Sequence, residues 1–156
     1  MTSRWARPAL VLLVMTLPVP ASAQRVRELG VTGIVTAADP AVAVAGVYGA
    51  LRTSLRTRLS VAIGAGVSDG DAAWRGELLA HFLLNPTRRQ GLGVYGTAGV
   101  AAVGGPVDQG YVVVAVGVEH RPGAPSGWFL EGGVGGGARV ALGYRWRRLP
   151  PGWPTP

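Results

Sequence analysis

WRGELLAHFLL, residues 74–84, sorts its side chains by parity. Trp74, Leu78, Phe82 and Leu84 fall on one parity, and Arg75, Glu77 and His81 on the other. In a β-strand, residues two apart share a face, whereas an amphipathic helix repeats its apolar positions every three or four residues. The segment therefore reads as a strand with one apolar and one polar face, and the direction of each face decides what kind of protein this is.

Working outward, the same alternation recurs along the chain, punctuated by Gly and Pro. It predicts eight strands, at residues 28–37, 42–51, 56–67, 74–84, 92–103, 110–121, 128–135 and 138–147. Each is about ten residues long, the length a tilted membrane-spanning strand requires. Connections such as SDGDA and GGPVDQ are short enough for antiparallel hairpins and too short for parallel crossovers. The expected fold is all-β: an eight-stranded antiparallel up-and-down barrel of the transmembrane type, with short turns.

One face collects Leu59, Val61, Ile63, Trp74, Leu78, Phe82, Val94, Val100, Val112 through Val118 on alternate positions, Trp128, Leu130, Val140, Leu142, Tyr144 and Trp146, with no charge. The other mixes Gly and Ala with Arg58, Arg75, Glu77, His81, Glu119, Glu131, Arg139 and Arg145. VAVAGVYGAL, residues 42–51, is too uniformly small to assign. Gly and Ala suit a crowded eight-stranded lumen better than an exposed strand surface. Trp74, Phe82, Trp128, Tyr144 and Trp146 stand near strand ends, where membrane barrels carry interfacial aromatics. A water-facing surface would carry far more charge of both signs.

Charge along the chain gives an independent indication. In a meander, odd and even turns lie at opposite ends. Asp39, Asp69, Asp71 and Asp108 fall in odd turns, whereas Arg52, Arg88 and Arg89 fall in even turns, with Arg56, Arg121, Arg147 and Arg148 at the same end.

The N-terminus has the layout of an export signal: Arg4 and Arg7, an apolar run too short to span a bilayer, and Ala21 and Ala23 before a cleavage point. Residues 1–23 are thus expected to be a cleaved signal peptide, 24–147 the barrel, and 148–156 a Pro-rich tail with Trp153 near the interface. About 133 residues remain for one domain. The absence of Cys excludes disulfides and Cys-ligated metals. Every basic residue is Arg, and after cleavage 13 Arg face 8 acids. That balance suggests nucleic acid or an anionic lipid surface as partner, but the segregation of charge to the two ends argues against both as its meaning.

The motifs have plain readings. GLGVYG, residues 91–96, has dinucleotide-loop spacing, but no helix follows and strand alternation continues. Gly91 is expected to end a turn, Gly93 to leave room beside Tyr95, and Gly96 to face outward. Glu77 and His81 lie about 13 Å apart along a strand, too far to share a metal. No G-x-S-x-G elbow accompanies Ser60, Ser68 or Ser126. The eight inward charges read as a structural ion-pair network, for which the planar guanidinium suits better than an ammonium. No cofactor and no metal is expected.

The last strand, ARVALGYRW, adds a resemblance. With Arg139, Ala141, Tyr144 and Trp146 it is similar to the closing strand of the small eight-stranded outer-membrane β-barrels of Gram-negative bacteria. There a polar residue, a small residue and two aromatics are read by the assembly machinery. Ala stands where Gly is usual, and residues follow the final aromatic. The resemblance implies a structural envelope protein of the outer membrane with a filled lumen, in contact with lipid and the barrel assembly machinery, without nucleic acid or known small-molecule substrate. It also implies that the Arg-bearing turns and both termini face the periplasm. The alternatives are a soluble periplasmic or secreted barrel holding a small apolar ligand against its Val and Leu face, and an envelope hydrolase built on His81.

Overall fold

The computed structural model describes residues 25–153 except Val107, so the expected signal peptide lies outside the described residues. Eight strands run in chain order: β1 (Arg27–Ala37), β2 (Val42–Arg52), β3 (Thr57–Ser68), β4 (Asp71–Leu83), β5 (Leu92–Gly104), β6 (Gln109–His120), β7 (Ser126–Val134) and β8 (Ala138–Arg148). Each pairs antiparallel with the next, and β1 pairs with β8 from Arg27↔Arg148 to Ala37↔Ala138. The barrel is closed. Closure removes edge strands, and the shortest ladder is β6–β7, from Val114↔Val134 to Glu119↔Phe129.

The connection between β3 and β4 is tighter than the sequence suggests. Pairing continues to Ser68↔Asp71, so only Asp69 and Gly70 form the turn. Their φ values of 51° and 87° are those of a type I′ turn, whose twist matches the flanking strands. The fourth strand accordingly begins at Asp71 rather than Trp74, because ladder hydrogen bonds hold Ala72 and Ala73 in line.

The packing is inside-out relative to a soluble domain. Val112 is 71% exposed and Leu29 70%, while Arg52, Arg58, Arg75 and Arg145 are among the largest fully buried side chains. All five predicted interfacial aromatics, Trp74, Phe82, Trp128, Tyr144 and Trp146, point outward. Four of them lie toward the end carrying the even turns and only Trp74 toward the other. The unassigned second strand resolves by the same alternation: Val42, Val44, Tyr48, Ala50 and Arg52 point in, and Ala43, Ala45, Val47 and Leu51 point out.

The four Asp side chains are exposed at one end, and Arg56, Arg88, Arg89, Arg121 and Arg148 at the other. Arg52 and Arg147 depart from the expected pattern. Both continue the inward parity of their strands and are buried at the mouth of the lumen.

GLGVYG opens β5, with Gly91 in the turn at φ 72° and Gly96 facing open space. Gly93 does not make room for Tyr95. A Cβ there would meet Pro122 at 2.8 Å, so it admits the β6–β7 turn. The space for Tyr95 comes from its cross-strand partner Gly117, where a Cβ would sit 2.4 Å from the phenol ring. Gly117→Val should therefore displace Tyr95 and cost about 1–3 kcal/mol, the range for overpacking a tightly packed position. Urea unfolding in detergent micelles measures this, and unchanged stability would refute the packing argument.

Candidate functional site: the charged lumen

Eight strands close around an interior just wide enough for side chains, so inward charges from different strands must meet. The structure brings together Arg58, Arg75, Glu77, His81, Glu119, Glu131, Arg139 and Arg145, all buried. It adds Glu28, Arg52 and Arg147, which sequence reasoning left out of the lumen. Glu28 was legible in the alternation of Glu28, Thr32 and Thr36 against Leu29, Val31 and Val35. Arg52 and Arg147 were hidden because each stands at the last or next-to-last position of its strand, where a turn reading competes.

The charges form two connected groups. Toward the Arg-bearing turns, Glu119 Oε2 accepts from Arg58 Nη1 and Arg145 Nη1, each at 3.1 Å, and from Arg147 Nη2 at 2.9 Å. Glu28 accepts from Arg52 Nε at 2.9 Å and Arg58 Nη1 at 3.4 Å. Toward the Asp-bearing turns, Glu77 accepts from Arg75 Nε at 2.7 Å and from Arg139 Nε and Nη2 at 2.9 and 2.6 Å. Arg139 Nη1 also donates to Glu131 at 2.9 Å. Tyr95 joins the two groups: its hydroxyl donates to Glu131 at 2.9 Å and accepts from Arg145 at 3.4 Å.

Among the described residues, six buried arginines face four buried glutamates, so donors outnumber carboxylate acceptors. Turn carbonyls take the excess. Arg52 donates to Pro86 O and Pro122 O, Arg147 to Arg121 O and Ala124 O, and Arg75 to Gly135 O. The lumen network thereby ties down the turns at both ends. Aromatic faces supply further support: the Arg145 guanidinium lies 4.0 Å from the Phe129 ring centre and 5.1 Å from that of Tyr48. Desolvated contacts of this kind contribute about 2 kcal/mol.

His81 sits between the groups. Ser60 Oγ is 2.7 Å from its Nε2, Thr97 Oγ1 is 2.9 Å from its Nδ1, and Glu131 lies 3.9 Å from Nδ1. Ser60, His81 and Glu131 thus stand in the order of a nucleophile, a base and an orienting acid. Ser60 is 3% and His81 1% exposed, so the hydroxyl is shut away from solvent, and the His81 ring is itself covered by Arg58 and Tyr95. Among the described residues, no three His, Asp or Glu side chains gather as a metal site.

The tail differs from the interfacial position expected of it. Trp153 folds back to the lumen mouth, with the Arg52 guanidinium 5.6 Å from its ring centre. Arg148, assigned to the tail by sequence, is the last residue of β8.

This barrel has a solved counterpart. The chain is similar to the N-terminal β-barrel domain of OprF from Pseudomonas aeruginosa. The TM-score is 0.63 at 16% identity, over 80% of this chain and 98% of the OprF domain. At that identity the OprF likeness establishes the shared fold alone. No protein-family model matches the sequence, and no curated protein does.

Proposed function

We propose that this chain is an outer-membrane β-barrel protein with a structural envelope role, its lumen filled by side chains and used for neither catalysis nor transport. One observation carries the reading: the closed barrel turns an uncharged belt of Val, Leu and aromatic residues outward and its Arg–Glu network inward. Soluble monomers rarely expose apolar patches beyond a few hundred Å², and a belt around every strand needs lipid to cover it. The OprF-like fold and the signal-like residues 1–23 support the same placement. By the resemblance of the last strand, the assembly machinery is the expected partner during insertion, and the Arg-bearing turns face the periplasm.

The soluble-carrier alternative required the face of Leu59, Val61 and Leu78 inside. That face lies outside, and the interior holds the Arg–Glu ion pairs beside smaller apolar clusters around Val42, Val44 and Val103 and around Leu79 and Val113. The network likewise supports a non-conducting barrel, because its charges engage one another and the turn carbonyls.

The test is fractionation of expressing cells followed by reconstitution. The protein should enter the detergent-extracted envelope and show heat-modifiable mobility, and it should give no stable conductance steps in a planar bilayer. Recovery as a soluble periplasmic protein without detergent would sink the membrane reading, and regular ohmic steps would sink the plugged lumen.

A further inference from the structure

Among the described residues, only two formally charged side chains occupy outward-facing strand positions: Arg27, the first residue of β1, and Arg148, the last of β8. They are register partners, directly opposite each other across the seam that closes the barrel. Like charges so placed repel. No described acid relieves them. Every ion pair at this end runs inside the lumen, and the exposed acids Asp39, Asp69, Asp71 and Asp108 all lie at the far end. Arg27 and Arg148 also line a cleft of about 440 Å³ with Leu29 and Trp146. That cleft shares Arg27 and Leu29 with an apolar groove of about 480 Å³, lined by Leu51, Leu59, Val61 and Leu78.

We infer that this seam is a binding site for an anionic glycerophospholipid, with Arg27 and Arg148 bridging the phosphate and an acyl chain lying in the adjoining groove. The inference rests on the membrane reading above. Paired guanidiniums hold phosphate oxygens through two parallel N–H donors each, which a single ammonium does not reproduce. The preference is for an anionic rather than a zwitterionic head group, because a choline or ethanolamine ammonium would approach two uncompensated cations with no acid to receive it. A glycerophospholipid, rather than a phosphorylated sugar lipid, follows from the proposed periplasmic direction of this end.

Native mass spectrometry of the full chain released from zwitterionic micelles tests the site, with phosphatidylglycerol, phosphatidylcholine and lipid A as probes. Phosphatidylglycerol should bind at one equivalent with roughly 25-fold preference over phosphatidylcholine, about fivefold for each arginine, and the preference should shrink with added salt. R27Q and R148Q should each lose about fivefold and the double variant all of it. R88Q/R89Q, on the turn between β4 and β5 across the barrel, should retain the preference. The wild-type comparison stands even if the double variant fails to fold. Equal binding of the two glycerophospholipids, stronger binding of lipid A, or an unaffected folded double variant would each overturn the site. Those results leave the barrel in lipid, whereas a chain that never acquires heat-modifiable mobility in lipid refutes the membrane reading itself.

Discussion

Glu119→Ala should destabilise the barrel by about 3–5 kcal/mol, the cost of leaving a buried charge network without one of its partners. The reason is the number of cations that depend on this carboxylate. Arg58, Arg145 and Arg147 all donate to its Oε2, from β3 and β8, while Glu119 itself stands on β6. Removing it leaves only Glu28 as a carboxylate for the four arginines of that half of the lumen. Glu119→Gln keeps the volume and one acceptor but not the charge, and should fall between wild type and Ala. Urea-driven unfolding in micelles, followed by tryptophan fluorescence and heat-modifiable mobility, gives the comparison. A Glu119→Ala barrel as stable as wild type would mean that the network contributes little and that barrel closure alone carries the fold.

Leu142→Arg is the complementary substitution on the outer face. Leu142 lies midway along β8, flanked in register by Gly33 and Leu130, and is 57% exposed. If lipid covers the belt, an arginine near the bilayer midplane costs about 2–4 kcal/mol. If water covered it, a leucine replaced at a half-exposed surface position would change stability by no more than about 0.5 kcal/mol. Folding yield and urea midpoint in phospholipid vesicles discriminate the two. A Leu142→Arg chain that folds into vesicles as readily as wild type would count directly against the membrane reading.

The two substitutions probe faces whose residues are largely legible in the sequence. Period-two alternation separates Arg75, Glu77 and His81 from Trp74, Leu78 and Phe82 because a strand projects successive side chains to opposite sides, whatever surrounds it. Legibility failed where that periodicity had nothing to act on. Residues 42–51 are nearly all small and apolar, so the inward position of Tyr48 was invisible, and with it the inward parity of Arg52. At strand ends a side chain either continues the pleat or joins a turn, and the ladder decides. Arg52 and Arg147 continue it, and so move from the rim into the lumen. Gly93 and Gly117 illustrate the same limit. Both sit beside bulky neighbours, but which neighbour fills which space depends on tertiary placement: the register gives Gly117 to Tyr95, and the β6–β7 turn brings Pro122 over Gly93.

Strand number, antiparallel order, the composition of each face and the gathering of Asp at one end all follow from local pattern and chain order, since side-chain period and turn length are short-range properties. Which charges meet does not. Glu119 reaches Arg58 and Arg145, and Arg27 stands opposite Arg148, only because β1 closes on β8 in one register and the curvature of eight strands brings distant positions across a narrow lumen. Closure is a long-range event, and the partners of every buried charge are settled there.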